Sequence, residues 1–113
     1  MVTSKSFALM NSTFPADGSL VIKIDVEGFE INVLRGAVAT LARVPNWIVV
    51  FEAHREASTR TGIDPRECLR LLNGIRSCEA LVGERPDIRL DFEQPYFDQV
   101  REPKITNVVC RSL

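Results

Sequence analysis

Four side chains carry the chemistry this sequence offers: Asp25, Glu27, Glu52 and His54. A carboxylate takes a proton from a hydroxyl, and it does so better when neighbouring acids raise its pKa. His54 is the one histidine of the chain, and an imidazole exchanges protons near neutrality. Oxygen ligands plus imidazole are also chemically adequate for a divalent cation, although no spacing here fixes a coordination geometry. Each residue has a plainer role beside the chemical one. Glu27 suits the positive end of a following helix, and Asp25 suits hydrogen bonds to loop amides. Glu52 suits an ion pair with Arg55 or Lys23, and His54 suits a solvated loop.

The elements that must position these residues follow from hydrophobic patterning. The β-branched run Leu20 to Val26 predicts an interior parallel strand. Alternation along it places Lys23, Asp25 and Glu27 on one side, opposite Ile24 and Val26. Gly28 and Phe29 open a helix predicted to run to about Arg43, with Ile31, Leu34, Val38 and Leu41 at three- and four-residue spacings. Gly36 costs such a helix about 1 kcal/mol against alanine, a cost that close packing against the strand would explain. Pro45 and Asn46 end the helix, and "WIVVFEA" predicts a second buried strand from Trp47 to Ala53.

A short loop leads to "DPRECLRLLNG", which carries helix punctuation at both ends. Asp64 is the expected N-cap, Pro65 the first helical residue, and Glu67 the partner in a capping box. Leu69 and Leu72 form the apolar stripe, and Gly74 the stop. Three more strands are expected, Cys78 to Val82, Ile88 to Phe92 and Ile105 to Arg111, with "EQPYFDQVREPK" as a long loop between the last two. Residues 1–19, with the apolar island "FALM" and the turn-rich "NSTFPADGS", read as an irregular lead-in.

Strands alternating with helices imply an α/β domain over residues 1–113, with right-handed parallel crossovers. The helix-free tail implies an antiparallel C-terminal strand pair. Ligands of open α/β sheets bind outside the carboxyl ends of the strands. Consecutive strands of one βαβ unit would there bring Asp25 and Glu27 towards Glu52 and His54.

Composition bounds the partners. With a net charge of −1 and arginines scattered among acids, nothing favours nucleic acid or an anionic membrane. No apolar run approaches the about 20 residues of a membrane span, and no basic stretch followed by an apolar segment marks a secretory signal. Cys68, Cys78 and Cys110 are an odd set without C-x-x-C spacing. They read as small buried thiols of a cytoplasmic protein rather than as a disulfide framework or a zinc site.

At "VIKIDVEGFEINVLRGA", followed by "WIVVFEAH", the sequence resembles the FkbM-type S-adenosylmethionine-dependent methyltransferases. Asp25, Val26, Glu27, Gly28, Glu30, Val33, Leu34, Gly36, Ala37 and Glu52 stand in the positions of that family's strand–helix–strand pattern. The resemblance implies a Rossmann-like methyltransferase sheet, with these strands as the fourth through seventh of seven. It also implies methyl transfer from S-adenosylmethionine to a hydroxyl oxygen of a small molecule or sugar. Carried over, Asp25, Val26 and Gly28 would contact the cofactor, Asp25 and Glu27 would be catalytic, and Glu52 and His54 would bind the acceptor. The glycine-rich cofactor turn has no counterpart, since nothing among the six glycines matches G-x-G. The resemblance is therefore to the C-terminal half of the domain. The strand at 20–26 would then have an unpaired edge, where a second copy or another chain is expected to pair. A non-catalytic remnant or a subunit completed by another chain is the first alternative, and a divalent-metal-binding domain the second.

Overall fold

Alternate burial along four of the five strands builds one face of the sheet against helices. In the computed structural model, which describes residues 19–24 and 30–113, strand β1 (Ser19–Ile24) buries Leu20, Ile22 and Ile24 and exposes Val21 and Lys23. Strand β2 (Asn46–His54) buries Trp47, Val49, Phe51 and Ala53 in the same alternation. Helix α1 (Glu30–Arg43) joins the two and buries Ile31, Leu34 and Leu41 as its spacing predicts, with Ala37 buried in place of the expected Val38, which is only half-buried. β1 and β2 pair in parallel, from Ser19 opposite Asn46 to Ile24 opposite Phe51.

The sheet has five strands in the order β1-β2-β5-β3-β4. They include β3 (Cys78–Val82), β4 (Arg85–Arg89) and β5 (Ile105–Ser112). β5 runs antiparallel to both β2 and β3, and β4 runs antiparallel to β3 at the edge. The α/β class is as expected, with an antiparallel pair near the C-terminus. Parallel contact, however, is confined to β1 and β2, so the sheet is mostly antiparallel. The physical reason lies in the last strand. Only a single helical turn, Tyr96–Gln99, precedes it, too short for a parallel crossover, and its alternately buried Thr106, Val108, Cys110 and Ser112 fit an interior slot between β2 and β3.

Three helices complete the described chain: α2 (Arg55–Thr61), α3 (Arg66–Ile75) and α4 (Tyr96–Gln99). α2 replaces the expected loop. It buries only Ala57, so no apolar stripe announces it, and its ends are fixed by His54 and by Gly62. Gly62 has a φ of 73° and returns its N–H to the Ser58 carbonyl at 2.8 Å, the left-handed stop that glycine adopts without strain. At α3, Asp64 Oδ1 accepts from the Arg66 N–H at 2.9 Å and from the Tyr96 N–H at 3.1 Å, so one carboxylate ties together the starts of α3 and α4. Glu67 engages Arg70 at 3.4 Å and Arg66 at 3.6 Å; the expected capping box gives way to these exposed pairs. The helix runs one residue beyond Gly74. β4 starts earlier than predicted because the chain reverses through Gly83 and Glu84 alone, with Val82 opposite Arg85. Its Pro86 is tolerated on an edge strand.

Gly36 is not a packing contact. It sits exposed within α1, and a Cβ built on it meets nothing within 4 Å. Gly36→Ala is therefore expected to stabilise the domain by about 0.5–1 kcal/mol through lower backbone entropy of the unfolded chain. A urea denaturation midpoint that stays put or falls would show a constraint on this position other than packing.

Candidate functional site

β2, which continues to His54, runs side by side with β1 as far as Ile24 opposite Phe51. The next residue of β2 is Glu52, and the next residue in sequence after Ile24 is Asp25. Asp25, Val26, Glu27 and Gly28, the residues expected to be catalytic and to contact the cofactor, lie outside the described residues. Glu52 and His54 are described. Both are half-buried on the face of β2 opposite Phe51 and Ala53, with Asn107 and Ile105 of β5 as their cross-strand neighbours.

His54 is a helix cap rather than a solvated loop residue. Its Nδ1 accepts the Ala57 N–H at 3.2 Å, closing the first turn of α2. With Nδ1 engaged as an acceptor, the neutral ring carries its proton on Nε2, which remains the nitrogen able to address a ligand. Arg55, one candidate partner for Glu52, directs its guanidinium elsewhere. Its Nη2 donates to the Arg101 carbonyl at 2.7 Å, and its cationic carbon lies 5.1 Å from the ring centre of Phe97.

A hollow opens where these elements meet. Ile31 from the start of α1, Phe51, Glu52 and His54 from the end of β2, and Ala57 and Ser58 from α2 line it. Ile63, Pro65 and Cys68 close it from the approach to α3. Sequence reasoning missed Ser58 and Cys68 as members of this wall. Ser58 could have been found only by recognising Gly62 as a helix stop, since its carbonyl is the one that Gly62 caps.

The hollow measures about 20 Å³, room for about one water molecule. A small-molecule pocket usually spans about 300–1,000 Å³. The described residues alone therefore do not enclose a ligand the size of S-adenosylmethionine. A larger hollow of about 530 Å³ lies at the other end of the strands, lined by Leu20, Val21, Asn46, Trp47, Ile48, Arg111, Ser112 and Leu113. It has no side-chain carboxylate or imidazole among its described lining residues. Among the described residues, no three of His, Cys, Asp and Glu gather in a way that could hold a metal ion. No described helix is long and apolar enough to cross a membrane.

The family model of the methyltransferase FkbM domain matches residues 17–102, which takes in β1, α1, β2 and the elements up to α4. No curated protein and no solved structure matches the chain significantly. With most of its length covered by that match, the chain belongs to the methyltransferase FkbM domain family.

Proposed function

We propose that the chain supplies the acceptor side of an S-adenosylmethionine-dependent O-methyltransferase site at the carboxyl ends of β1 and β2. The observation that carries this reading is the parallel pairing of β1 with β2 up to Ile24 and Phe51, the residues that precede Asp25 and Glu52 in sequence, in a chain of the FkbM family. When bound, the cofactor supplies an activated methyl group. The chain's own contribution is to orient an acceptor hydroxyl and to receive its proton. Glu52 and His54 Nε2 hold the acceptor, a small molecule or sugar, and Asp25 or Glu27 takes the proton. Clustering of carboxylates favours that role, because like charges raise one another's pKa. The described hollow does not fit the cofactor, so its enclosure falls to residues 25–29 and to a glycine-rich segment that the 113 residues lack.

Calorimetric titration with S-adenosylmethionine tests the proposal. Binding below millimolar that disappears in Asp25→Ala supports it, and binding that survives this substitution removes Asp25 from the site. A second reading has an observation of its own. Among the described residues β1 is an edge strand, and its Val21 is 62% exposed, an edge that invites another chain. A subunit completed by a second copy would give a silent titration and a dimer in light scattering at tens of micromolar. A silent titration from a monomer sinks the first reading and self-pairing, and leaves completion by a different chain.

A further inference from the structure

Two thiols of this fold touch, and neither belongs to the hollow described above. Cys78 opens β3 and Cys110 lies in β5, with their Sγ atoms 3.3 Å apart. Both are buried, Cys78 at 8% exposure and Cys110 at 0%. The register sets Cys78 opposite Ser112 and Cys110 opposite Ala80, so the thiols meet across the diagonal of an antiparallel pair. The contact is polarised. The Cys110 thiol donates to Cys78 Sγ, and the Cys78 thiol faces Asn73 Oδ1 at 3.9 Å. That same amide oxygen accepts the Cys78 backbone N–H at 3.2 Å, which holds the residue in place.

We propose that Cys78 and Cys110 form a reversible dithiol–disulfide site that peroxide oxidises, with Cys78 as the attacking sulfur and Cys110 as the resolving one. The asymmetry of the pair supports these roles. The hydrogen bond from Cys110 draws the Cys78 thiol below its ordinary range, with burial opposing. The same pairing, together with burial, holds Cys110 protonated well above its range. Cys78 also retains the access that Cys110 lacks, being the first residue of its strand and slightly exposed. Reactivity of this kind follows thiolate character and access.

The chemistry balances in two steps. The Cys78 thiolate attacks one oxygen of hydrogen peroxide, the O–O bond breaks, and the departing hydroxide takes up a proton, leaving Cys78 as a sulfenic acid. The Cys110 sulfur then attacks the Cys78 sulfur as its proton goes to the leaving oxygen. The S–O bond breaks, the S–S bond forms, and water departs. In sum, two thiols and one peroxide give one disulfide and two waters. Closing the bond contracts the 3.3 Å contact to about 2.05 Å. The diagonal register requires a small shear of β3 against β5 to allow it.

The test treats the reduced chain with hydrogen peroxide, alkylates the remaining thiols after denaturation, and reads intact mass and peptide maps. The expected result is the loss of two of the three thiols, a Cys78–Cys110 linked peptide, and full recovery with dithiothreitol, Cys68 remaining alkylated throughout. In Cys110→Ser, which keeps a hydrogen-bond donor beside Cys78 but cannot form the disulfide, the reaction is expected to stop at a Cys78 sulfenic acid that dimedone traps. Three thiols surviving peroxide, a link through Cys68, or dimedone labelling absent from a folded Cys110→Ser chain would each overturn the proposal.

Discussion

Phe51→Ala is expected to destabilise the domain by about 3–5 kcal/mol, the range for truncating a fully buried aromatic side chain. Phe51 is 1% exposed and sits in β2 between Ile24 of β1 and Val108 of β5, both of them buried. Its ring belongs to the same buried cluster as Ile31 and Leu34 of α1, so truncation removes core volume. Since domains of this size are stable by only about 5–15 kcal/mol, the variant should remain folded but melt much earlier. The neighbouring Val50 points to the opposite, half-covered face, and Val50→Ala should cost clearly less. Equal losses in urea denaturation for the two variants would mean that the helix-covered face is not the core.

Tyr96 gives the second large effect. It is fully buried and its hydroxyl is hydrogen-bonded to the Thr106 hydroxyl of β5, which anchors α4 to the sheet. Tyr96→Phe leaves the Thr106 hydroxyl in the interior without this partner, at an expected cost of about 1–3 kcal/mol. The same burial pushes the ionisation of the phenol up to about 12, opposed by the bond to Thr106 and assisted by the charge of Glu84. A raised folded-state value means that the folded chain holds its proton longer than the unfolded one. This share of stability is therefore whole below the unfolded tyrosine's value of about 10 and is lost as the pH rises towards about 12. As Tyr96 is the one tyrosine of the chain, tyrosinate absorbance reports on it alone. Absorbance rising near pH 10 in the folded protein would contradict burial of the hydroxyl, and the alkaline fall in stability should be shallower in Tyr96→Phe.

Much of the frame was legible because its burial is periodic. The strand from Cys78 to Val82 is found where its apolar run predicts, and β2 extends the predicted strand by one residue at each end. β1 and α1 follow the predicted run as far as the described residues reach. Elements without a stripe were not legible. α2 buries a single alanine and α4 is one short turn; both are fixed by caps and by tertiary bonds such as the one between Asp64 and the Tyr96 amide. Strand order was hidden for a different reason. An alternating apolar pattern shows that β5 buries one face, but it does not tell an edge from the slot between β2 and β3. At the site, Glu52 lies in β2 two residues before the strand ends at His54. The capping role of His54 depended on a helix that no sequence pattern announced.

Amide chemical-shift mapping with S-adenosylmethionine at millimolar concentrations tests the location of the site most directly, because it registers weak binding and says where it occurs. A site at the carboxyl ends of β1 and β2 predicts the largest shifts along residues 25–29, the expected cofactor contacts, smaller ones at the adjoining Glu52 and His54, and little change at Trp47, Arg111 and Leu113. Shifts confined to the hollow around Trp47 and Leu113, or no shift anywhere, would contradict it.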